Sequence, residues 1–483
     1  MTITNYRTAL LASGAAIALM AVSVPAWADE ISDLRSQIET MQEKIAKMEA
    51  DTATKKRIAA SAAVEAGDKP RTWKLPGTRT SMGIGGYVKL DMIYDLNGIP
   101  TLGSNGLRDR LYTDADIATA PDNSVLARQQ GQFRFHARQS RVWVQTWTPT
   151  DWGELHTHFE GDFFGGTTSI SSQVNNGYFA NSDFRIRHAY GELGPVLAGQ
   201  TWSTFNPVWS GAETIDFGGD IGANGLRTAQ IRYTHVFPGG FTIMAALEDP
   251  GLAGGRAICG VATVSAATIC ANGIAATATT SMAGQPVFLI PNIVLAAQYD
   301  FGNGRVWAGG QLRRIEYDNG AGLHEGAWGW QFAVAGTYRF NPRLAIGGIA
   351  TVGKGSAAHY GGIYTESVVT GLTPGSQDIN TVLSYSFYGW LQVKWTDTIR
   401  SNFSAGYALL EVADEVPGGK VNLANYLGTY GANHFTYSAH ANLIWSPVPQ
   451  VDFGVEYIYF MQSRYNGVNG KQSRIQVGML YRF

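Results

Sequence analysis

The stretch QSRIQVGMLYRF, residues 472–483, decides the fold class. Apolar residues occupy every second position in it, and most of the residues between them are polar. The apolar positions are Ile475, Val477, Met479, Tyr481 and Phe483. A period of two is typical of a β-strand that lies between an apolar and a polar medium. Because protein termini usually fray unless they are held, we expect this strand to pair with another strand.

The same alternation recurs along most of the chain. In the segment that starts at Met82, apolar residues such as Ile84 and Val88 alternate with polar residues such as Lys89 and Asp91. Comparable runs are separated by short turns rich in Pro and Gly on one side and by long polar or glycine-rich segments on the other. Their number predicts an all-β fold over residues 82–483, a transmembrane antiparallel β-barrel of about sixteen strands that is wide enough for an aqueous channel. A soluble sandwich or propeller would also alternate, but it would not explain the apolar faces with aromatic ends.

The composition agrees with a barrel. Only 15% of the 483 residues are charged, 58 are Gly, and 12% are aromatic. Soluble chains usually have roughly 25% charged residues. A net charge of -2 argues against a nucleic-acid-binding protein, which usually has a basic excess.

The N-terminal segment predicts export from the cytoplasm. An apolar run from residue 9 to residue 24 follows Arg7, and Ala26, Trp27 and Ala28 fit a small-x-small cleavage site. We therefore interpret residues 1–28 as a signal peptide. A retained membrane anchor is the alternative, but the apolar run is short for a membrane span.

We predict that residues 29–50 form a short coiled coil. Residues 51–81 are rich in Ala, Lys and Thr, and we interpret them as a linker. Apolar residues in the first segment follow the spacing of three and four that is typical of a coiled-coil seam. These residues are Ile31, Leu34, Ile38, Met41, Ile45 and Met48. The alternative is an amphipathic helix that lies on the main domain.

The two cysteines, Cys259 and Cys270, predict one disulfide in an exported protein. They lie in residues 257–299, which contain no charge. We interpret residues 248–291 as a long external loop closed by this disulfide. A membrane-embedded helix is the alternative, although Asn272 and Gly273 are a hairpin signal.

Arginines concentrate on a few predicted strands and point to anion selection. Arginines that face the lumen would attract anions through their summed potential. The candidates for a basic wall at the constriction are Arg134, Arg138, Arg141, Arg185, Arg187 and Arg232. A β-bulge near Gln139 and Ser140 would bring Arg141 onto the same face as Arg134. Alternatively, these arginines pair with Glu154, Glu160 and Asp162 and have a structural role.

An acidic, glycine-rich segment follows the fifth predicted strand. It contains Glu213, Asp216 and Asp220. We expect this loop to fold inward and to give the constriction a transverse field opposite the basic wall. The alternative is a plain external loop with solvated carboxylates.

The sequence supports metal binding and catalysis only weakly. His156 and His158 share a face with Asp162, but two imidazoles on one strand are too few for a metal site. The sequence contains no nucleophile elbow and no phosphate-binding glycine loop. We therefore predict no enzyme activity, no metal and no cofactor, with an outer-wall Ser-His hydrolase as the alternative.

With these motifs in view, the sequence resembles the DcaP-type outer-membrane porins of Gram-negative bacteria. The resemblance rests on the heptad helix after the signal peptide and on four further stretches, which are GGYVKLDMIYD, ARQSRVWVQTWTPTDWGEL, FRIRHAYGELG with LAGQTWSTFNP, and the terminal YRF. It implies a homotrimer in the Gram-negative outer membrane, a constriction formed by an inward third loop, and passive uptake of small anionic solutes such as dicarboxylates. It also implies contact with membrane lipid and lipopolysaccharide, and recognition of the terminal residues by the outer-membrane assembly machinery. The cysteine loop departs from the family.

Two functions are consistent with the sequence. The first is a trimeric diffusion porin whose N-terminal helix lies in the periplasm. The second is an outer-membrane anchor that its coiled coil tethers to a periplasmic partner. Deleting the helix would separate these hypotheses.

Overall fold

A computed structural model describes most of the chain. It covers residues 27–61, 64–97, 131–165, 183–223, 225–250, 256–259, 285–318, 324–355, 365–370, 378–411, 433–465, 467 and 469–483. The chain forms two compact units, residues 1–65 and residues 66–483. The predicted signal peptide lies almost entirely outside the described residues.

The first unit contains one helix, α1 (Trp27–Ser61), of 35 residues. Leu34, Ile38, Met41, Ile45 and Met48 have more than half of their surface exposed. The helix continues beyond residue 50, through the first part of the predicted linker. An exposed apolar seam is compatible with the predicted coiled coil, which stays a prediction. The described helices do not include one that is both long and apolar enough to cross a membrane.

The second unit is built almost entirely of strands. They are β1 (Trp73–Lys74), β2 (Ser81–Asn97), β3 (Gln132–His136), β4 (Arg141–Thr150), β5 (Gly153–Gly165), β6 (Asp183–Leu193), β7 (Val196–Trp202), β8 (Arg227–Val236), β9 (Phe241–Glu248), β10 (Arg256–Cys259), β11 (Gln285–Val287), β12 (Asn292–Asp300), β13 (Gly304–Asp318), β14 (His324–Asn341), β15 (Leu344–Lys354), β16 (Thr365–Thr370), β17 (Asp378–Thr381), β18 (Leu383–Lys394), β19 (Ile399–Glu411), β20 (Asn433–Val448), β21 (Val451–Arg464) and β22 (Asn469–Arg482). A single turn of 3-10 helix, η1 (Val208–Ser210), lies between β7 and β8.

These strands form a closed antiparallel barrel. Neighbouring barrel strands pair in chain order, and the last strand, β22, pairs with β2, where Ile475 lies opposite Tyr94 and Tyr481 opposite Val88. Since β3 and β4 together form one barrel strand, as do β11 and β12, the barrel has 16 strands. Each described strand of the barrel therefore has a neighbour on both sides, as a sheet in a bilayer requires. The predicted fold class and the predicted pairing of the terminal strand are confirmed.

Side chains alternate between the two faces of the wall, as expected. On β2, Ile84 and Val88 are 50% and 54% exposed on the outer face, whereas Lys89, Asp91 and Asp95 are buried inside. An apolar outer face suits contact with lipid, and a polar inner face suits water and solutes. The wall therefore separates two different media.

A one-residue bulge interrupts the barrel strand formed by β3 and β4. His136 pairs with Asp91, and Arg141 pairs with Tyr87, so five residue steps on one strand oppose four on the other. The extra residue changes the phase of the alternation, as β-bulges do. Arg134 and Arg141 therefore both have the inward phase, as the sequence predicted.

The two ends of the barrel differ. The short connections lie at one end, which we call the short-turn rim, at residues 151–152, 194–195, 237–240, 301–303, 342–343, 395–398 and 449–450. The opposite end, the long-loop rim, includes a separate sheet in which β10 pairs with β16 and β16 with β17. Strand β9 ends at Glu248, and the next barrel strand begins with β11 at Gln285, so β11 lies inside the predicted external loop, residues 248–291. Because Cys270 lies outside the described residues, the disulfide with Cys259 stays a prediction.

Candidate functional site

The segment between β7 and β8, residues 203–226, crosses the interior of the barrel. We call it the constriction loop. Its first part packs on an apolar cluster, where the buried ring of Phe205 meets Trp307 at a centroid distance of 5.8 Å. The cluster also includes Val294, Ala333 and Ile349. Apolar burial therefore fixes the base of the loop on β12 to β15.

Farther along, hydrogen bonds hold the constriction loop on the next strands of the barrel. Tyr388 and Trp390 on β18 both donate to the carbonyl oxygen of Ser210, at 2.6 Å each. The amide of Ile221 donates to Ser438 Oγ on β20 at 2.9 Å. Since these strands lie across the barrel from β7, the loop spans the lumen.

Glu456 on β21 organises the centre of the loop. Its carboxylate accepts hydrogen bonds from the backbone amides of Ile215 at 2.8 Å and of Asp216 at 3.1 Å. It also contacts His440 Nδ1 at 3.2 Å and accepts from Asn442 at 2.9 Å. One buried carboxylate thus satisfies two loop amides that would otherwise be unpaired away from water.

The three predicted acidic residues lie on this side of the lumen. Glu213 accepts a hydrogen bond from Arg400 Nε at 2.7 Å. Asp216 lies 3.7 Å from Arg474, and Asp220 lies 3.7 Å from His440. Burial raises the pKa of the Asp220 carboxyl above its ordinary value, although the nearby imidazole acts in the opposite direction. The acids therefore lie next to three basic residues, Arg400, His440 and Arg474, which were not among the predicted site residues.

Gly406 on β19 has no side chain, and this allows the constriction loop to lie close to the barrel wall. A Cβ atom at Gly406 would lie 1.8 Å from the carbonyl oxygen of Ile221. Real Cβ atoms do not approach oxygen so closely, so only glycine allows this approach.

Three of the predicted arginines form a compact ionic cluster on the opposite wall. Arg141 lies 3.2 Å from Glu160. Arg185 and Arg187 lie 2.8 Å and 3.0 Å from Asp162, and Arg187 also donates to Glu160 at 2.8 Å. The pairing considered as the alternative is therefore present at these three arginines.

The other three predicted arginines lie apart from this cluster. Arg134 is buried and forms an ion pair with Asp95, which also accepts a hydrogen bond from Arg474 at 2.7 Å. Arg138 lies in the bulge, where its carbonyl oxygen accepts a hydrogen bond from the Phe163 amide at 3.0 Å. Arg232 on β8 lies 3.7 Å from Glu192. The six arginines therefore extend along the wall rather than meeting at one point.

Arg227, the first residue of β8, belongs to the wall but was missed. Its guanidinium lies over the ring of Trp202, 4.7 Å from the ring centroid. One of its terminal nitrogens, Nη1, is buried and has no hydrogen-bond partner among the described residues. Arg227 is five positions before Arg232, so alternation alone would place it on the outer face. The sequence contains no signal for the inward position of Arg227, because the alternation of inward and outward residues breaks down where a strand meets a loop.

The constriction loop also touches the basic wall. The ring of Phe217 stacks on Phe164 at a centroid distance of 4.3 Å, and Arg185 and Arg187 lie 5.5 Å and 5.9 Å from the Phe217 centroid. A cation over an aromatic face is attracted to it. The loop therefore contacts both sides of the lumen.

Below this contact, rings line the basic wall toward the short-turn rim. His188 lies edge-on to Trp202, His158 stacks on Tyr190, and His156 stacks on Trp147. His156 contacts Glu192 at 3.2 Å and His158 contacts Gln145 at 2.5 Å. Among the described residues, no three His, Cys, Asp or Glu side chains are grouped as a metal site would need.

Several solved structures are similar to this chain. Among solved structures, the chain is similar to the outer membrane channel DcaP of Acinetobacter baumannii, with 19% identity, a TM-score of 0.63 and coverage of 87% of this chain and 100% of that chain. It is also similar to an anion-selective porin from Comamonas acidovorans, with 11% identity, a TM-score of 0.49 and coverage of 84% and 100%. OmpT, an outer membrane protein of Vibrio cholerae, matches with 12% identity, a TM-score of 0.46 and coverage of 84% and 98%.

A search of the curated proteins found no match. The family model described as DcaP outer membrane protein matches residues 21–272. This range is more than half of the chain, and it includes α1, the basic wall and the constriction loop. The chain therefore belongs to the DcaP outer membrane protein family.

Proposed function

We propose that the protein is an outer-membrane porin for the passive diffusion of small hydrophilic anions, such as dicarboxylates. One observation carries the proposal. Inside a closed barrel, and among the residues that the structure describes, Arg141, Arg185 and Arg187 pair with two carboxylates, Glu160 and Asp162, and a fourth cation, Arg227, lies over the ring of Trp202. Four cations with two anions leave a positive excess beside the constriction loop, and such an excess raises the local concentration of anions.

The paired arginines limit how tightly an anion is held. Each carboxylate in the cluster competes with a passing solute for the same guanidinium groups. A channel needs binding that is strong enough for entry and weak enough for release on the far side. Solute passage of this kind involves no catalytic step and no cofactor.

The proposal includes a homotrimer in the outer membrane with α1 in the periplasm, as the family resemblance implies. The outward apolar side chains would contact lipid and, toward the long-loop rim, lipopolysaccharide. The terminal strand would be recognised by the outer-membrane assembly machinery.

Ion selectivity of the purified protein in a planar lipid bilayer tests this function. A salt gradient across the bilayer should give a reversal potential that favours anions, and succinate should carry current. A reversal potential that favours cations would overturn the anion assignment.

A second function has one observation in its favour, the exposed apolar seam of α1. Such a seam would suit a helical partner, and the protein would then be an anchor that is tethered to the periplasm. Deletion of residues 29–60 separates the two functions. A porin would keep its conductance after the deletion, whereas an anchor would conduct little before or after it and would lose its attachment to the periplasmic partner.

A further inference from the structure

A polar cavity lies between the constriction loop and the short-turn rim. Its volume is about 400 Å³, and it lies on β12 to β15 and β18, away from the arginines of β4 to β8. Its lining includes Trp209, Asn303, Arg305, Thr337, Arg339 and Gln392. A cavity of this size is in the range of small-molecule sites.

One net positive charge faces this cavity. Arg305 forms an ion pair with Asp300, so these two charges offset each other. Arg339 also lines the cavity and is exposed, and its side chain has no hydrogen-bond or ion-pair partner within the part of the chain that the structure describes. A guanidinium with free donors binds a carboxylate through two parallel hydrogen bonds. The cavity therefore suits a single carboxylate.

Uncharged polar groups around Arg339 suit hydroxyl groups. Gln392 uses its amide nitrogen to donate to Glu213 at 3.3 Å and to Asn402 at 3.0 Å, which leaves its carbonyl oxygen as an acceptor. Thr337 and Asn303 add a hydroxyl and an amide, each able both to donate and to accept. Such a mixture fits a polyhydroxylated solute better than an aliphatic chain.

Two indole rings supply flat apolar surfaces. Trp209, in η1, has the guanidinium of Arg305 5.0 Å from its ring centroid. Trp390 also lines the cavity, and its Nε1 donates to Ser210, which fixes the ring. Aromatic faces pack against the C–H face of a sugar ring, because the ring edge of a pyranose is polar and its face is apolar.

We propose that this cavity binds the monoanion of a sugar acid, such as a hexuronate, with its carboxylate on Arg339 and its ring against Trp209. The inference rests on the proposed channel function, because the solute reaches the cavity through the lumen. It adds a second site on the exit side of the constriction. A dicarboxylate would leave one carboxylate without a cation there, and a neutral sugar would leave Arg339 unpaired.

Current recordings with D-glucuronate added on the short-turn side test the proposal. Glucuronate should cause transient blockages, and D-glucose should bind at least about tenfold more weakly, as should glucuronate to Arg339→Gln, which loses a charge-assisted hydrogen bond. Trp209→Leu should weaken the blockages, and Trp209→Phe should restore part of the effect. Arg343→Gln removes the same charge from the same rim, outside the cavity, and should bind glucuronate like the unmodified protein.

Several results would overturn the proposal. Equal glucuronate binding by the unmodified protein and Arg339→Gln would exclude a carboxylate on Arg339. Succinate blockages with the same sensitivity to Arg339→Gln and Trp209→Leu would exclude a site for sugar acids. A channel that conducts chloride without glucuronate blockages would contradict this inference alone, whereas absence of any conductance would contradict the proposed function. Titration calorimetry of the detergent-solubilised protein with glucuronate measures binding in either case.

Discussion

Arg400 on β19 donates two hydrogen bonds to the Glu213 carboxylate of the constriction loop, from Nε and from Nη2. The same guanidinium donates from Nη1 to Ser446 at 2.6 Å. A bidentate pair fixes both the position and the orientation of the carboxylate. Arg400 therefore connects the loop to the wall across the lumen from β7.

Arg400→Gln should loosen the constriction loop without unfolding the barrel. The pair is partly exposed, with 17% and 38% of the two side chains accessible, so its loss should cost about 1 kcal/mol or less. Single-channel recordings should show larger current fluctuations and a higher mean conductance. Arg79→Gln, which removes an exposed charge whose guanidinium donates to the Pro149 carbonyl oxygen, serves as the control. Identical current traces for the two variants would show that Glu213 and Arg400 do not hold the loop.

Gly406→Ala should disturb the same loop by a steric route. The new Cβ would lie 1.8 Å from the Ile221 carbonyl oxygen, so either the loop or β19 must move. Because β19 is paired along both edges, we expect the loop to move and the hydrogen bond from Ile221 to Ser438 to break. Conductance should rise more than in Arg400→Gln. Gly225→Ala is a matched control, since a Cβ there has no atom within 4 Å. Equal conductance of both alanine variants would contradict the close approach.

The sequence predicted the barrel wall well because the wall obeys a local rule. On β2 and β22, every second residue faces one medium, so the inner and outer positions follow from the spacing alone. The bulge before Arg141 was also predicted, because Arg134 and Arg141 occupy opposite phases of the alternation in the sequence. The sequence could also indicate that Glu213, Asp216 and Asp220 form an acidic loop segment.

The partners of these acids could not be predicted from the sequence. Glu213 and Arg400 are 187 residues apart, and Ile215 and Glu456 are 241 residues apart. Contacts across a lumen depend on the barrel diameter and on the path of the loop, and neither leaves a periodic signal. The role of Gly406 could not be predicted for the same reason. Glycines are frequent in the chain, and only the contact with the constriction loop distinguishes this one.

Arg227→Gln should reduce anion preference without a large loss of stability. Among the described residues, Arg227 forms no ion pair with a carboxylate, and its guanidinium lies over the ring of Trp202, so the substitution leaves no carboxylate without its partner. The ratio of anion to cation permeability should fall by roughly two- to tenfold, which corresponds to about 0.4 to 1.4 kcal/mol of electrostatic energy. Reversal potentials in a salt gradient measure this ratio.

Two further variants make the Arg227 measurement specific. Arg79→Gln removes an exposed charge whose guanidinium contacts Pro149, and it should leave the ratio unchanged. Arg187→Gln removes the same charge from the wall, but it also leaves Glu160 and Asp162 with fewer partners, so it should lower thermal stability as well. An unaltered permeability ratio in Arg227→Gln would show that this residue does not contribute to the field of the lumen.

Gly86→Ala should weaken the closure of the barrel. The backbone of Phe483 exchanges two hydrogen bonds with Gly86, at 3.1 Å and 3.4 Å. A Cβ at residue 86 would lie 2.4 Å from the Arg141 carbonyl oxygen and 2.6 Å from the Phe483 ring, so the last residue would be displaced from β2. Overpacking of this kind costs about 1 to 3 kcal/mol, and the fraction of protein that migrates as a folded barrel in an unheated gel should fall.

Deletion of Phe483 tests the same closure from the other strand. The deletion removes both hydrogen bonds to Gly86 and the exposed ring of Phe483, but no side chain of the lumen. Assembly in cells should therefore be impaired, while the molecules that do insert should keep the conductance of the unmodified protein. Gly225→Ala, which alters a glycine of the constriction loop where a Cβ has no atom within 4 Å, should assemble normally. If the deletion changed conductance and left assembly intact, Phe483 would act on the lumen rather than on the pairing of β22 with β2.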